Sequence, residues 1–290
     1  MENADDNRVK ILPIKVLNDE GVGTTLSAYK GIKYAIEKKV DVINLSLSGI
    51  GHSKLLESAI NEAYNNNIPV VVSAGNDNTV ITDYTPANIE SAITVSSVYE
   101  AMTEEGNVTY ERAFYSNYGT DDNAIDFSTN GVFEYKRIID GKEVTTSSMG
   151  TSVSAAYVTS FIAMLKQMAL SDEDDSNDNL TFSDIYKSLY ESAIKKVEDE
   201  ELNKYDFGNG YLKKENIILQ KSEEEQEWEE LPVEEVDEDS EFMQLVANDQ
   251  HWIFVVDKTC FYLKDDSNWK SDLSDMKDEL YDKKGINLNI

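Results

Sequence analysis

Short apolar segments rich in β-branched residues recur along the chain up to about residue 220, and segments with helical periodicity separate them. The apolar segments are nearly continuous, without alternating polar positions, which is typical of strands buried on both faces of a sheet. Strands that alternate with helices in this way predict an α/β domain with a parallel sheet. The predicted strands are residues 9–17, 40–47, 68–73 and 92–98.

Four segments have the spacing of helices. Residues 25–37 and 53–65 place their apolar side chains at helical intervals, so we expect two crossover helices there. Residues 152–168 are apolar nearly all round, which predicts a buried helix. A further amphipathic helix is expected from residue 183 to about residue 197.

The composition changes after residue 220. Residues 223–241 contain twelve acidic residues and no basic one, and their mutual repulsion predicts an extended, poorly ordered linker. Beyond it, residues 242–247 and 252–263 indicate two strands joined by a turn, followed by a helix. About 50 residues form a marginal core, so we expect this unit to dock on another surface. The predicted parts are an α/β domain (1–220), an acidic linker (221–241) and a small C-terminal α+β appendage of ββα type (242–290).

The chain is strongly acidic, with 56 acidic and 26 basic residues and a net charge of −30. Such a surface repels phosphate backbones and anionic lipids, so neither nucleic acid nor membrane is an expected partner. The first ten residues lack the profile of a secretory signal, and we expect no membrane-spanning segment, which would keep a chain complete at Met1 in the cytoplasm. The single cysteine, Cys260, excludes an intrachain disulfide and a cysteine-based metal site.

Three segments of the α/β domain carry the chemistry. Residues 41–49 (Asp-Val-Ile-Asn-Leu-Ser-Leu-Ser-Gly) form a buried strand that ends in small residues, and residues 70–76 (Val-Val-Val-Ser-Ala-Gly-Asn) form another that ends at an asparagine. Gly-Thr-Ser at 150–152 then begins the most apolar helix. Each motif alone is weak, but in this order they resemble the subtilisin-like serine peptidases, the subtilases, over about residues 8–220. The resemblance implies a three-layer subtilisin-like fold with a mostly parallel sheet, incomplete at its N-terminus.

Ser152 and Asn76 are the candidate catalytic residues. A serine at a helix N-terminus lies beside free backbone N–H groups and the positive end of the helix dipole, which favour the oxyanion of acyl transfer. An asparagine just past the end of a strand is placed to donate a side-chain N–H to the same oxyanion. By resemblance, Ser152 is the nucleophile and Asn76 lies in the oxyanion hole.

The resemblance also implies a groove for an extended peptide or protein substrate, since such a segment pairs with an exposed strand edge. The chain departs from the family pattern at Ser48, where glycine is usual, and at Ala156 and Tyr157, where Pro-His is usual. We therefore expect an altered pocket. The candidate substrate-binding residues are Ser46, Leu47, Ser48 and Gly49 on one wall and Ser73, Ala74 and Gly75 on the other.

The aspartate and histidine of the catalytic triad are missing from their expected places. Subtilases carry them upstream of the serine, in Asp-Thr/Ser-Gly and His-Gly-Thr motifs, and this sequence has neither. Its two histidines, His52 and His251, do not match the family position. We expect both triad partners on a separate N-terminal segment or companion chain, and an isolated chain close to inactive, because losing histidine alone costs roughly 10⁶ in turnover in subtilisin.

Two further expectations concern the missing segment and metals. In the resembled fold the aspartate-bearing strand lies between this chain's first and second strands. A separate piece fills that gap, or the chain closes it in its own way, or the gene product is incomplete. By resemblance calcium is a possible ligand, since it often stabilises the family, but we identify no compact ligand set, and residues 172–178 lack the spacing of an EF-hand loop.

Two functions from different classes follow. The first is the serine-bearing part of a subtilisin-like endopeptidase, which the presence of both Ser152 and Asn76 supports. The alternative is a catalytically silent pseudopeptidase that keeps the groove as a peptide- or protein-binding module, which the missing triad partners and the altered positions support.

Overall fold

The computed structural model describes residues 9–102, 106–139, 142–170, 180–197, 200–220 and 230–233, and the backbone of two further strands at 244–246 and 255–257. The strands are β1 (Lys10–Ile11), β2 (Val22–Thr24), β3 (Val42–Leu45), β4 (Gly49–Ile50), β5 (Val70–Ser73), β6 (Tyr84–Thr85), β7 (Ile93–Met102), β8 (Val108–Arg112), β9 (Phe127–Asn130), β10 (Val132–Ile139), β11 (Lys142–Met149), β12 (Lys196–Val197), β13 (Glu200–Glu201), β14 (Gln244–Val246) and β15 (Val255–Asp257). The α-helices of the described residues are α1 (Thr25–Glu37), α2 (Lys54–Asn65), α3 (Thr151–Leu170), α4 (Phe182–Ser192) and α5 (Lys204–Phe207).

A mostly parallel sheet forms the centre of the molecule, as the apolar segments predict. β3 pairs in parallel with β5, β5 with β7, and β7 with β9. Within the described residues this sheet has seven strands in the order β1-β15-β3-β5-β7-β8, with β9 also paired to β7. β15 runs antiparallel to both of its neighbours, and β8 runs antiparallel to β7.

The alternation of side chains along the strands builds three layers. Ile43 and Leu45 of β3 pack with the inner faces of α1 and α2 on one side of the sheet. Val42 of β3 and Val71 of β5 point the other way and pack with α3 and α4. All four of these side chains are at most 1% exposed, so the sheet is buried on both faces. The predicted three-layer α/β fold is confirmed.

Side-chain caps define where the crossover helices begin. The Thr24 hydroxyl accepts the Ser27 N–H (3.1 Å) while the Ser27 hydroxyl accepts the Thr24 N–H (2.9 Å), which is a reciprocal capping box for α1. α4 ends at Ser192, five residues before the end we predicted. The chain leaves the helix there because Ile194 exchanges two backbone hydrogen bonds with Tyr211, each 2.9 Å long.

The buried helix predicted at residues 152–168 is three residues longer in the structure, where α3 spans Thr151–Leu170. By length and composition alone, this 20-residue helix is long and apolar enough to cross a membrane. Val158, Ile162 and Leu165 are fully buried in the core cluster that α3 forms with the sheet and α4. The apolar character of α3 is therefore explained by packing inside the domain.

The two predicted C-terminal strands pair with the α/β domain instead of with each other. β14 pairs antiparallel with β2, and β15 lies between β1 and β3. The chain thus places its own segment in the gap we expected beside β3. Strands with unpaired backbone groups readily accept another strand, whereas an isolated two-stranded hairpin is marginally stable. The predicted C-terminal helix lies outside the described residues.

Part of the acidic linker is held against α2. The Asn65 side-chain amide donates to the Leu231 carbonyl (2.8 Å), and its carbonyl oxygen accepts the Leu231 N–H (2.9 Å). One turn earlier, the Asn61 amide donates to the Pro232 carbonyl (2.8 Å). These three bonds attach the chain to the domain between the end of the α/β part and the C-terminal strands; the rest of the linker lies outside the described residues.

Candidate active site

Ser152 is the second residue of α3, and the backbone before it is held in an unusual conformation. Gly150 has φ +151°, which favours glycine, and its N–H donates to the Gly131 carbonyl (2.9 Å). The N–H groups of Val153 and Ser154 both reach the Gly150 carbonyl. Within the described part of the chain neither the amide nor the hydroxyl of Ser152 has a hydrogen-bond partner. Both groups are available for a substrate.

Asn76 lies against the start of α3. Its side-chain carbonyl oxygen accepts the Thr151 N–H and the Thr151 hydroxyl, each at 2.9 Å. The Thr151 hydroxyl oxygen in turn accepts the Gly75 N–H at 3.2 Å. Because the oxygen of the Asn76 amide is occupied by two donors, its NH₂ group is turned to the other side. Asn76 therefore contacts Thr151, the residue before Ser152, at the N-terminus of α3.

Asn117 holds the loop that carries Asn76, and we did not predict it. Its fully buried side chain donates to the Ala74 carbonyl (3.0 Å) and accepts the N–H groups of Asp77 (2.9 Å) and Thr79 (3.1 Å). Gly75 has φ +101°, and a Cβ added there would lie 2.4 Å from the Asn117 amide nitrogen. The glycine is required both by its backbone conformation and by this contact.

A chain of buried polar groups joins β3 to α3. The Thr159 hydroxyl lies 3.0 Å from the Asn44 side-chain oxygen, and the Asn44 amide donates to the Ser46 hydroxyl (2.9 Å). The Ser46 hydroxyl donates to the Ser152 carbonyl (2.9 Å). Asn44 and Thr159 are almost fully buried, so these bonds are shielded from water. They fix the end of β3 relative to the helix that carries Ser152.

The two predicted walls of the substrate groove differ in their backbone hydrogen bonding. Ala74 donates its N–H to Val95 and accepts from Asn117, and the Gly75 carbonyl accepts the Asn117 N–H (3.0 Å). The backbone of this wall is thus used inside the domain. On the other wall Leu47 is buried, Ser48 is half-buried and takes part in a β-bridge, and Gly49 begins β4. Ser48 and Gly49 thus have the extended conformation that pairing with a peptide requires.

No general base lies at Ser152 in the described part of the chain. His52 is exposed, and its Nε2 atom lies 3.0 Å from the Glu57 carboxylate. His251 lies outside the described residues. Among the described residues no group of three or more histidine, cysteine or acidic side chains is placed to hold a metal ion, and residues 172–178 lie outside them.

A half-buried carboxyl group, that of Asp126, lies elsewhere, just before β9. The Asp126 carboxylate accepts the Thr94 N–H (2.7 Å) and the Tyr186 hydroxyl (2.8 Å), and Asn209 donates to that hydroxyl (2.9 Å). Burial raises the pKa of Asp126 to about 6, although both hydrogen bonds act to lower it. Burial and the nearby Asp126 charge raise the pKa of Tyr186. This group links the sheet to α4 and makes no contact with Ser152 or Asn76.

The supporting residues that sequence analysis missed are polar side chains inside otherwise apolar elements. Asn44 and Thr159 interrupt a buried strand and a buried helix, and Asn117 lies in Tyr-Ser-Asn-Tyr-Gly at 115–119. Buried polar residues of this kind need hydrogen-bond partners, so their presence in apolar segments was the sequence signal that could have revealed their supporting role. The hairpin β10–β11 was also missed. Its two eight-residue strands project from Gly131 and Gly150, at the base of the site.

Comparison with known proteins supports the resemblance of this chain to the subtilases. Residues 7–210 match the sequence profile of the Subtilase family. Among similar proteins are Subtilisin-like protease 1 of Pseudogymnoascus destructans, 32% identical over 55% of this chain and 38% of its own length, and Subtilisin-like serine protease Pen ch 18 of Penicillium rubens, 31% identical over 56% of this chain and 33% of its own. The chain thus spans about a third of the length of these relatives.

A solved structure shows the same fold. A lanthipeptide protease superposes with a TM-score of 0.56 over 70% of this chain and 68% of its own, at 18% identity. Since the family profile covers well over half of the chain and agrees with the three-layer fold and the order of the motifs, the chain belongs to the subtilase family of serine peptidases.

Proposed function

We propose that this chain is the serine-bearing part of a subtilisin-like endopeptidase, in which Ser152 forms the acyl-enzyme and Asn76 stabilises the oxyanion. The general base and its orienting carboxylate come from a segment that this sequence does not contain. The observation that carries the proposal is the doubly occupied side-chain oxygen of Asn76, which turns its NH₂ group away from Thr151.

The reaction follows from the positions of these groups. The Ser152 oxygen attacks the scissile carbonyl while the supplied imidazole takes its proton, and the carbonyl oxygen becomes an oxyanion. The Ser152 N–H and the Asn76 NH₂ group donate to that oxyanion, and the dipole of the 20-residue α3 favours its charge. The imidazole returns the proton to the leaving amine, and water then hydrolyses the ester.

The groove for the substrate is proposed to lie along Ser46–Gly49. An extended peptide adds a strand to this edge, and the bond from the Ser46 hydroxyl to the Ser152 carbonyl keeps the edge in register with the nucleophile. Peptides or proteins are therefore the substrate class we propose.

A fluorophosphonate probe tests the proposal, because its covalent capture requires an activated serine and a formed oxyanion hole. The chain is co-expressed with a subtilase N-terminal segment that carries both missing motifs. We expect labelling of the complex, loss of labelling in Ser152→Ala, and a rate about 10²- to 10³-fold lower in Asn76→Ala. Asn78→Ala is the matched control, since its side chain accepts from Arg112 and has no bond to Thr151. A folded complex that is not labelled would contradict the proposal.

The alternative function, a pseudopeptidase that binds peptides, is favoured by the absence of any histidine bonded to Ser152 in the described residues. It predicts no labelling of the complex and a peptide affinity that Ser152→Ala does not change. Isothermal calorimetry with extended peptides measures that affinity.

A further inference from the structure

We propose that the C-terminal segment Gln244–Val246 is a resident strand in the peptide groove of its own chain, so that substrates and partners must displace it. The proposal deepens the proposed function, on which its definition of the groove rests. A peptide that enters the groove then competes with a segment carried on the same molecule.

The first observation is the position of β14. It pairs antiparallel with β2, with Gln244 opposite Thr24 and Val246 opposite Val22. Cα atoms of β14 also lie within 8 Å of Cα atoms of β4. β4 continues directly from Ser46–Ser48, the wall proposed to bind substrate. A segment of main chain therefore lies beside the edge where an added peptide strand is expected.

The second observation is independent and explains how the segment is delivered. Asn61 and Asn65 of α2 hold the backbone of Leu231 and Pro232 through three hydrogen bonds. Gln244 follows Val233 by eleven positions, and an extended chain of that length spans up to about 37 Å. The anchor and this reach keep β14 close to the domain. The acidic linker thus acts as a tether of defined length.

The length of the linker determines how strongly β14 weakens the binding of a free peptide to the groove. A segment held by a short flexible linker has an effective concentration of about 1 mM. If the segment itself binds the groove with an intrinsic Kd of about 0.1 mM, the ratio of these two concentrations weakens the binding of a free peptide roughly tenfold. Release of β14 should therefore raise the affinity for a free peptide roughly tenfold, although the groove itself is unchanged.

A disulfide tests the position of the segment. Val22 and Val246 are opposite each other in the register, and opposite Cα atoms of antiparallel strands lie at a separation that a disulfide spans. In a Cys260→Ala background, Val22→Cys with Val246→Cys is expected to form an intramolecular disulfide on mild oxidation, seen as a mobility change on a non-reducing gel. Each single variant is the control. Failure of the pair to cross-link in the folded monomer would overturn the proposal.

A binding measurement tests the competition. A fluorescent peptide of residues 240–250 is titrated with wild-type protein, with Leu245→Pro/Val246→Pro and with the control Asp237→Pro/Glu238→Pro in the linker. Successive N–H groups of a strand point to its two opposite edges, so two consecutive prolines remove one hydrogen-bond donor on each edge of β14. The sequence of β15 is unchanged. We expect about tenfold tighter binding to the Leu245→Pro/Val246→Pro protein than to the other two. The oxidised Val22→Cys/Val246→Cys protein is expected to lose binding, and reduction is expected to restore it.

These readouts do not depend on catalysis, and all of them are repeated in Ser152→Ala. Equal affinity of the wild-type, the Leu245→Pro/Val246→Pro and the oxidised double-cysteine proteins would overturn the resident strand even if the fluorophosphonate probe labels Ser152. Conversely, tighter binding on release, without labelling of a complemented complex, supports the resident strand and contradicts the peptidase function.

Discussion

Asn117→Ala is expected to destabilise the protein strongly, because this one side chain holds the loop from Ala74 to Thr79. The variant loses three hydrogen bonds, to the Ala74 carbonyl and to the N–H groups of Asp77 and Thr79. A typical hydrogen bond contributes about 1 kcal/mol net, and a buried group left without a partner costs about 1–3 kcal/mol.

The burial of each partner of Asn117 decides how much free energy the loss of its hydrogen bond costs. Ala74 is fully buried, so its carbonyl is left without a partner in a dry site. Asp77 is exposed and Thr79 half-buried, so water replaces the lost acceptor at those two N–H groups at low cost. The expected loss in the free energy of unfolding is therefore about 3 kcal/mol, most of it from the Ala74 carbonyl.

Urea unfolding followed by tryptophan fluorescence and circular dichroism measures the change. Asn123→Ala is the matched control, since the Asn123 amide donates only to the neighbouring Asp122 carbonyl at the surface, and its loss is expected to cost less than about 0.5 kcal/mol. A loss below about 1 kcal/mol in Asn117→Ala, with an unchanged m-value, would refute the role of Asn117 as the clamp of this loop.

Two further predictions concern a glycine and a carboxyl group. Gly75→Ala is expected to destabilise by at least about 1 kcal/mol more than Gly106→Ala in thermal unfolding. Both glycines have positive φ, but an added Cβ meets the Asn117 amide at 2.4 Å in the first and no atom of the described residues within 4 Å in the second. Equal losses would exclude the contact. The pKa of Asp126, raised to about 6, means that the folded state binds its proton more tightly than the unfolded state, so this group's contribution to stability is full below about pH 4 and is lost as pH rises through 6. Asp126→Asn should therefore gain stability relative to wild type by up to about 1.4 kcal/mol per pH unit over that window in urea titrations, and a pH-independent difference would contradict the raised pKa.

Local sequence determined most of the α/β core and the positions of the candidate site residues within it. The segments at 42–45, 70–73 and 93–98 are rich in β-branched apolar residues and contain no charged side chain, which favours strands that are buried on both faces. Helices α1 and α2 began where predicted because their caps are adjacent in sequence. The order of the motifs, together with the family resemblance, predicted Ser152 and Asn76 as the candidate catalytic residues, since one begins a helix and the other follows a strand.

The tertiary structure alone decided which groups support the site and what completes the sheet. Asn117 contacts Ala74 and Asp77 across about 40 residues, so no local pattern shows that it clamps their loop. The pairing of β14 with β2, and the place of β15 between β1 and β3, depend on which backbone edges remain open after the rest of the domain has folded. Hydrophobic periodicity predicts that a segment is a strand, but backbone pairing has no side-chain code of comparable strength, and the partner is chosen by the assembled fold.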